Sequence, residues 1–590
     1  MVAIIKRTPI FPKELLVFRI ILLMIVSCAI PVYSLDTSPV RVDRSVKVRM
    51  RDGVQLAADV YRPDIPGRFP VLLQRTPYNR ASSSDFSPQT FAFRTASRGY
   101  VVIMQDVRGR FESEGEFYPF KYEEHDGYDT VEWAAALPYS DGRVAMFGAS
   151  YVGATQMLTA IASPPHLVAL FPCITASDYH DNWVYQSGTF VQGFMEHWTS
   201  ELAEDTLARR VHSSMVERRY ERQLPVTEYP IFDIGTKEGL APYFWDWLKH
   251  PSNDAYWDRW SIEKRYDKII VPAYHVGGWY DMFLGGTLRN YVGLEKHGGS
   301  DAARRGQRLI IGPWYHRAAP FDGKTGDVDF GPNAFFDQTD LALRWFDYVL
   351  KDQKNGLEKE KPVKIFVMGE NVWREEDDWP LARAKTTRFY LHSQGNANTA
   401  SGDGTLSLEP TQREGSDQYV YDPADPTPTF APARDQRAVE SRSDVLVYTT
   451  EPLQDQVEVT GPIALELYVS SSAPDTDFTA KLVDVSPDGF AVNLTDGILR
   501  GRYRSSAEHP ELMTPGAPYK ITIDMWATSN LFKAGHQVRL EVSSSNFPRF
   551  ERNLNTGEEQ SASARMTKAT NTVLLGPSHP SALVLPVVPR

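Results

Sequence analysis

Short apolar runs alternate with helix-period segments through the first third of the chain. Residues 71–73 (Val71, Leu72, Leu73) and 100–104 (Tyr100 to Met104) are continuous apolar stretches of strand length, and residues 123–137 set Tyr128, Val131 and Ala135 on one helical face. Buried runs separated by helices predict a parallel sheet covered on both sides. Residues 177–266 are dense in aromatic and charged positions, with Phe190, Phe194 and Trp198 four apart and then Tyr243, Phe244, Trp245 and Trp247. That spacing predicts helices, inserted where a cap would cover a cleft. Most of these rings read as packing between helices, and some could shape a hydrophobic pocket. Strand character resumes at 269–276 and 308–311, and a helix is predicted over 339–350.

Beyond Glu360 the helical period disappears. Segments 363–368, 388–392, 463–469, 478–485, 519–525 and 537–542 are short and rich in β-branched or aromatic residues. Ile463, Leu465, Leu467 and Val469 alternate with Ala464, Glu466 and Tyr468, the period-two pattern of a half-buried strand. Turn-rich stretches such as DPADPTPTFAPARD separate them, which predicts a β-sandwich or jelly roll. The expected organisation is an α/β domain over 40–176 and 267–356, a helical cap over 177–266 and an all-β domain over 357–590. At 590 residues the chain exceeds one core, in keeping with this division.

The first 34 residues stand apart. Lys6, Arg7, Lys13 and Arg19 precede the apolar run IILLMIVSCAI, and Val32, Tyr33 and Ser34 offer a small-residue cleavage site. This predicts a secretory signal and an exported protein, periplasmic or secreted. The alternatives are a retained single-pass anchor and a lipoprotein acylated at Cys28. Cys173 is the other cysteine, so no internal disulfide is expected after cleavage. A net charge of −12, with no basic run after the first twenty residues, disfavours nucleic acid and anionic membrane as partners, unless Cys28 is lipidated.

The candidate chemistry begins at RVAMFGASYVGATQMLTAI, residues 143–161. An apolar strand meets Gly148-Ala149-Ser150-Tyr151 and runs directly into a helix-forming segment. A serine between small residues on such a turn is the pattern of a nucleophile elbow, although the fifth position is Val152 and the glycine falls one place later, at Gly153. A serine hydroxyl needs a base, and the base needs an orienting group. In open parallel sheets the working residues sit beyond the C-terminal ends of strands. Past the strand at 269–276 comes Gly277-Gly278-Trp279-Tyr280-Asp281, and past 308–311 comes Gly312-Pro313-Trp314-Tyr315-His316. The order Ser150, Asp281, His316 is that of α/β-hydrolases. An oxyanion would be held by the Tyr151 N–H and by a donor from the loop Arg75-Thr76-Pro77-Tyr78-Asn79-Arg80, where the Tyr78 phenol is the candidate; its alternative is a tyrosine packed under the loop.

With these residues in view, the elbow GASYVGATQ, the loop RTPY, the segment QDVRGRFESEGEF, the acid loop GGWYD and the base loop IIGPWYH resemble the bacterial cocaine esterase and glutaryl-cephalosporin acylase family. That family is related to X-Pro dipeptidyl-peptidases and α-amino acid ester hydrolases. The resemblance covers nearly the whole chain after the signal, and the family shares the shift of glycine to position 153. It implies an α/β-hydrolase domain, an inserted helical cap and a C-terminal jelly roll, with Ser150, Asp281 and His316 as triad and Tyr78 and Tyr151 as oxyanion hole. Asp106 and Arg108, in the QDVRGRFESEGEF segment, read as a structural ion pair near the sheet top.

α-Amino acid ester hydrolases carry extra carboxylates just after the triad acid, whereas Met282, Phe283 and Leu284 are apolar here. A buried ammonium without a carboxylate is costly, which disfavours free α-amino substrates. Phe283 is a candidate wall of an acyl pocket, the alternative being plain packing. Asp178, His180 and Asp181 cluster without further metal-ligand spacing, and no glycine loop for phosphate or dinucleotide is visible, so neither metal nor cofactor is expected. The reading is a serine esterase or acylase acting on a small ester or amide. Its alternatives are an X-Pro dipeptidyl-peptidase, a β-lactam acylase, or an exported binding protein with an inert hydrolase domain. The oligomeric state, homo-oligomers included, stays open.

Overall fold

The computed structural model describes residues 38–82, 88–208, 222–228, 240–317, 322–430 and 432–590. The expected signal segment, residues 1–34 with Cys28, lies outside the described residues, as do parts of the expected cap. Among the described residues no helix is long and apolar enough to cross a membrane.

The first sheet comprises β1 (Val40–Arg49), β2 (Gln55–Pro63), β3 (Phe69–Thr76), β4 (Val101–Asp106), β5 (Ser140–Ala149), β6 (Leu167–Cys173), β7 (Tyr274–Tyr280), β8 (Arg308–Tyr315), β9 (Val363–Val367) and β10 (Val372–Glu376). Its spatial order is β1-β2-β4-β3-β5-β6-β7-β8-β9-β10. Pairing is antiparallel from β1 through β2 to β4, parallel from β4 to β9, and antiparallel again at β10. The parallel interior is built from the continuous apolar runs, whose side chains are buried on both faces.

Helices α1 (Pro88–Ala96), α2 (Glu123–Ala135) and α3 (Tyr151–Ile161) follow β3, β4 and β5. All of α3 is buried, as its Ala, Met, Leu and Ile content suits. The buried face of α2 differs from the expected one. Of Tyr128, Val131 and Ala135 only Val131 is buried, and the covered face instead carries Glu123, Asp126, Gly127, Thr130 and Ala134. Charged residues face inward there because arginines meet them. The expected pair of Asp106 with Arg108 is not formed: the Arg80 amide and guanidinium hold Asp106, while Arg108 forks onto Asp126 at 2.6 and 2.9 Å.

Within the cap, Phe190 belongs to a two-strand hairpin (Tyr185–Gln186 with Thr189–Phe190) rather than to the helix expected to carry it. Phe194 and Trp198 do share a helix, α4 (Gln192–Ala208), and their rings stack with centroids 5.9 Å apart. The aromatic cluster at 243–247 lies on the helix Pro242–Lys249.

The β-rich part forms an antiparallel array of long strands, including Val457–Ser471, Asp477–Val485, Tyr519–Phe532 and Gln537–Ser543. In Val457–Ser471 the odd residues from Ile463 to Val469 are buried and the even ones half-buried, as the alternation predicts. The run at 363–368, whose texture assigns it to this part, instead pairs in parallel with β8 as β9. The first sheet therefore extends to Glu376, past the expected boundary at 357.

Candidate active site

Ser150 stands between β5 and α3 with φ 61° and ψ −125°, a left-handed conformation that costs a non-glycine residue energy and is kept only where its surroundings enforce it. The enforcing contacts are visible. Ser150 N donates to Cys173 O at 3.0 Å, and its carbonyl accepts from Gly153 N and Ala154 N. Gly148 has φ 137°, and a Cβ there would lie 2.2 Å from Val152 Cγ1. A Cβ on Gly153 would meet Thr175 Cβ at 2.7 Å, so the displaced glycine serves close packing of α3 on the end of β6. Gln156, fully buried, donates to Gly148 O at 3.0 Å and ties helix to strand.

Asp281 follows β7 and His316 follows β8, so three elements deliver their side chains to one edge of the sheet. Both strands run further than the apolar pattern indicates, through Gly277-Gly278 to Tyr280 and through Gly312-Pro313 to Tyr315, and the β7 strand begins at Tyr274 rather than at 269. His316 Nδ1 lies 2.8 Å from Asp281 Oδ2, and His316 Nε2 lies 3.0 Å from Ser150 Oγ. A carboxylate only accepts, so Nδ1 carries the proton and Nε2 is left to accept from the serine hydroxyl. The other oxygen of Asp281 accepts from Phe283 N at 2.7 Å, and its side chain is fully buried. Both oxygens are thereby fixed, and with them the imidazole.

Tyr78 follows β3, beside β5 in the sheet. Its phenol oxygen accepts from Trp198 Nε1 at 2.9 Å. Burial raises this phenol well above its ordinary range, so it stays protonated. With the indole on one lone pair, its own hydrogen points elsewhere. Tyr151 is the first residue of α3, whose opening amides lack intrahelical acceptors. Its side chain turns away: the phenol donates to Glu123 Oε1 at 2.8 Å and accepts from Phe120 N at 2.9 Å. Glu123 in turn receives the Arg75 guanidinium at 2.6 Å, and burial raises its carboxyl against that arginine's pull.

Phe283 is buried edge-on to His316, with centroids 5.0 Å apart, and stacks on Trp183 at 4.3 Å. Phe194 closes the same corner at 5.5 Å from Phe283. Asp178 accepts the main-chain amides of His180 and Asp181 in a turn, and His180 Nε2 sits 2.9 Å from the Pro251 carbonyl. Trp198, Glu123 and Arg75 were not legible as site residues. Trp198 is visible only as a helix-spaced ring, Arg75 belongs to a loop singled out for Tyr78, and Glu123 only opens a segment read as a helix.

Residues 52–318 match the family model for X-Pro dipeptidyl-peptidase (S15 family), and residues 355–584 match that for the X-Pro dipeptidyl-peptidase C-terminal non-catalytic domain. A cocaine esterase of Rhodococcus sp. (strain MB1 Bresler) is 40% identical over 579 residues, covering 92% of this chain and 98% of that one. Among solved structures, an aminopeptidase from the marine sediment archaeon Thaumarchaeota archaeon superposes with a TM-score of 0.80 at 26% identity, covering 94% and 97% of the two chains. An α-amino acid ester hydrolase gives 0.80 at 26%, covering 93% and 97%.

Proposed function

The chain belongs to the cocaine esterase family of serine hydrolases, and from that membership we propose that it cleaves small carboxylic esters by passing the acyl group through Ser150. The protein is a serine hydrolase acting on esters. The observation that carries the assignment of residues is the unbroken line Asp281–His316–Ser150, at 2.8 and 3.0 Å, ending on a strained elbow.

In this mechanism His316 Nε2 takes the hydroxyl proton as Ser150 Oγ attacks the ester carbonyl, and Asp281 stabilises the imidazolium. The negative charge on the tetrahedral intermediate falls between the Tyr151 N–H and the Tyr78 hydroxyl. His316 then protonates the departing alkoxide, which leaves as alcohol. Water repeats the cycle on the acyl-enzyme, returning the acid and free serine. The aromatic corner of Trp183, Phe194 and Phe283 against His316 favours an apolar acyl group. Apolar Met282, Phe283 and Leu284 after the acid argue against a substrate with a free α-ammonium.

A fluorophosphonate probe tests this directly: labelling of the wild type that vanishes in Ser150→Ala is expected, and an unlabelled wild type returns the chain to a binding role. The S15 match and the aminopeptidase likeness favour a second reading, cleavage of amides. p-Nitrophenyl acyl esters compared with glutaryl amides and X-Pro anilides separate the two. Export is part of the proposal, supported by the basic-then-apolar N-terminus; a mature protein that still begins at Met1 would count against it.

A further inference from the structure

We propose that Arg110 is a positioning residue for the oxyanion hole, its guanidinium clamping the loop that carries Tyr78 to the cap helix that carries Trp198. The proposal rests on the reading of Tyr78 as an oxyanion donor. Arg110 lies in the QDVRGRFESEGEF segment, whose part in the fold is otherwise explained by Asp106 and Arg108 pairing elsewhere. It is 3% exposed. Its Nε donates to the Pro77 carbonyl at 2.9 Å, and its Nη1 donates to the Leu202 carbonyl.

Those two acceptors are what give the contact meaning. The Pro77 carbonyl shares one peptide unit with the Tyr78 amide, and that amide donates to Thr76 Oγ1 at 3.0 Å. The peptide plane entering Tyr78 is thus held at both ends, which fixes the direction from which the phenol leaves the loop. Leu202 lies four residues after Trp198 on α4, about one helical turn, so the two share a face. The guanidinium that holds the Pro77 carbonyl therefore also holds the segment whose indole donates to the Tyr78 oxygen at 2.9 Å. Base of loop, tip of phenol and cap helix become one rigid triangle.

The residue type fits the task. A planar fork holds its donors in fixed directions about 2.3 Å apart, so it spans carbonyls on two separate elements with more directional control than one ammonium gives. The guanidinium carbon lies 5.1 Å from the ring centroids of both Phe111 and Phe117, offsetting burial of the charge. The loop itself is bent to bring these rings round: Phe111 has φ 49° and Gly109 φ 71°, where a Cβ would lie 2.1 Å from Phe117 N. A second tie joins it to the cap helix, Phe111 N to Asp205 Oδ2 at 3.0 Å.

A double-mutant cycle on the full-length enzyme with p-nitrophenyl esters tests the clamp. Arg110→Met should lower kcat roughly 10-fold with KM little changed, and Arg110→Lys should recover only part of it. In a Tyr78→Phe background, itself about 10²-fold slower, neither change should cost more. Equal losses in both backgrounds, or an effect confined to KM, would overturn the clamp. Should Arg110→Met fail to fold, the cycle is run with Arg110→Lys, and wild-type kcat or background-independent loss in that variant has the same force. A silent Tyr78→Phe removes the oxyanion reading and the clamp together, whereas a damaging Tyr78→Phe with a silent Arg110→Met removes the clamp alone.

Discussion

The phenol of Tyr151 donates to Glu123 Oε1 at 2.8 Å, so the residue directly after Ser150 is moored by its side chain to the first turn of α2. Tyr151→Phe keeps the main-chain amide but leaves the Glu123 oxygen and the Phe120 amide without this partner. Loss of about 1–3 kcal/mol of stability is expected, with kcat falling less than for any triad variant. Urea unfolding beside steady-state kinetics checks it; unchanged stability would show the mooring to be idle.

His316→Ala and Asp281→Asn should each lower kcat by roughly 10³-fold or more while leaving the fold intact. Circular dichroism and melting temperature verify the fold. Near-full turnover in either variant would take that side chain out of the mechanism.

Gly148→Ala forces a methyl to within 2.2 Å of Val152 Cγ1 at φ 137°. It should destabilise by about 1–3 kcal/mol or more and displace Ser150 from His316, abolishing most activity. Gly331, at φ 78° with open space around it, is the control: Gly331→Ala meets strain but no clash. Equal effects at the two positions would mean that crowding at the elbow is unimportant.

Phe283→Ala removes the ring that stands edge-on to His316. Bulky acyl groups should gain in kcat/KM over acetyl by about 10-fold, as extra methylenes find room. A panel of p-nitrophenyl esters of increasing acyl length measures this, and an unchanged profile would make Phe283 a packing residue only.

Glu440 and Glu541 are buried near one another in the β-rich part, Glu440 paired with Arg539 at 2.6 Å and Glu541 with Lys481 at 3.2 Å. Burial, reinforced by Glu541, pushes the Glu440 carboxyl up to about 7. Its folded value lies above the unfolded one, so its stabilising contribution is complete below about pH 4.3 and lost as pH rises through about 7. Glu440→Gln should therefore gain on the wild type in urea midpoint between about pH 5 and about pH 8. A difference that stays constant with pH would refute the assignment.

The sheet, the turn at Ser150 and the juxtaposition of Ser150, Asp281 and His316 were legible because each has a local signature: apolar runs, a serine between small residues, and an aspartate and a histidine after successive strands. The strand ends were not. Gly278 and Gly312 read as punctuation, yet both lie within strands, where a Cβ would lie 2.2 Å from Trp314 O and from the Trp314 ring respectively. They are glycines because neighbours crowd them. Partners also escaped the pattern: Asp106 and Arg108 stand two apart, but their counter-ions, Arg80 and Asp126, are brought by other elements. Trp198 was recognisable as a ring on a helix, while its use as a donor to Tyr78 depends on how cap and sheet meet.

The membership of β9 in the first sheet limits how the chain could be divided. Cutting at residue 357 would strip two strands from the edge beside β8 and uncover backbone next to the loop that carries His316. Met368 also bonds in both directions with Ser529 and Leu531, and Trp279, Ile311 and Val363 share one apolar core with Phe389, Leu465 and Leu583. A cut at that point would expose apolar side chains and unpaired backbone on both sides of it, so the fold of each part leans on the other.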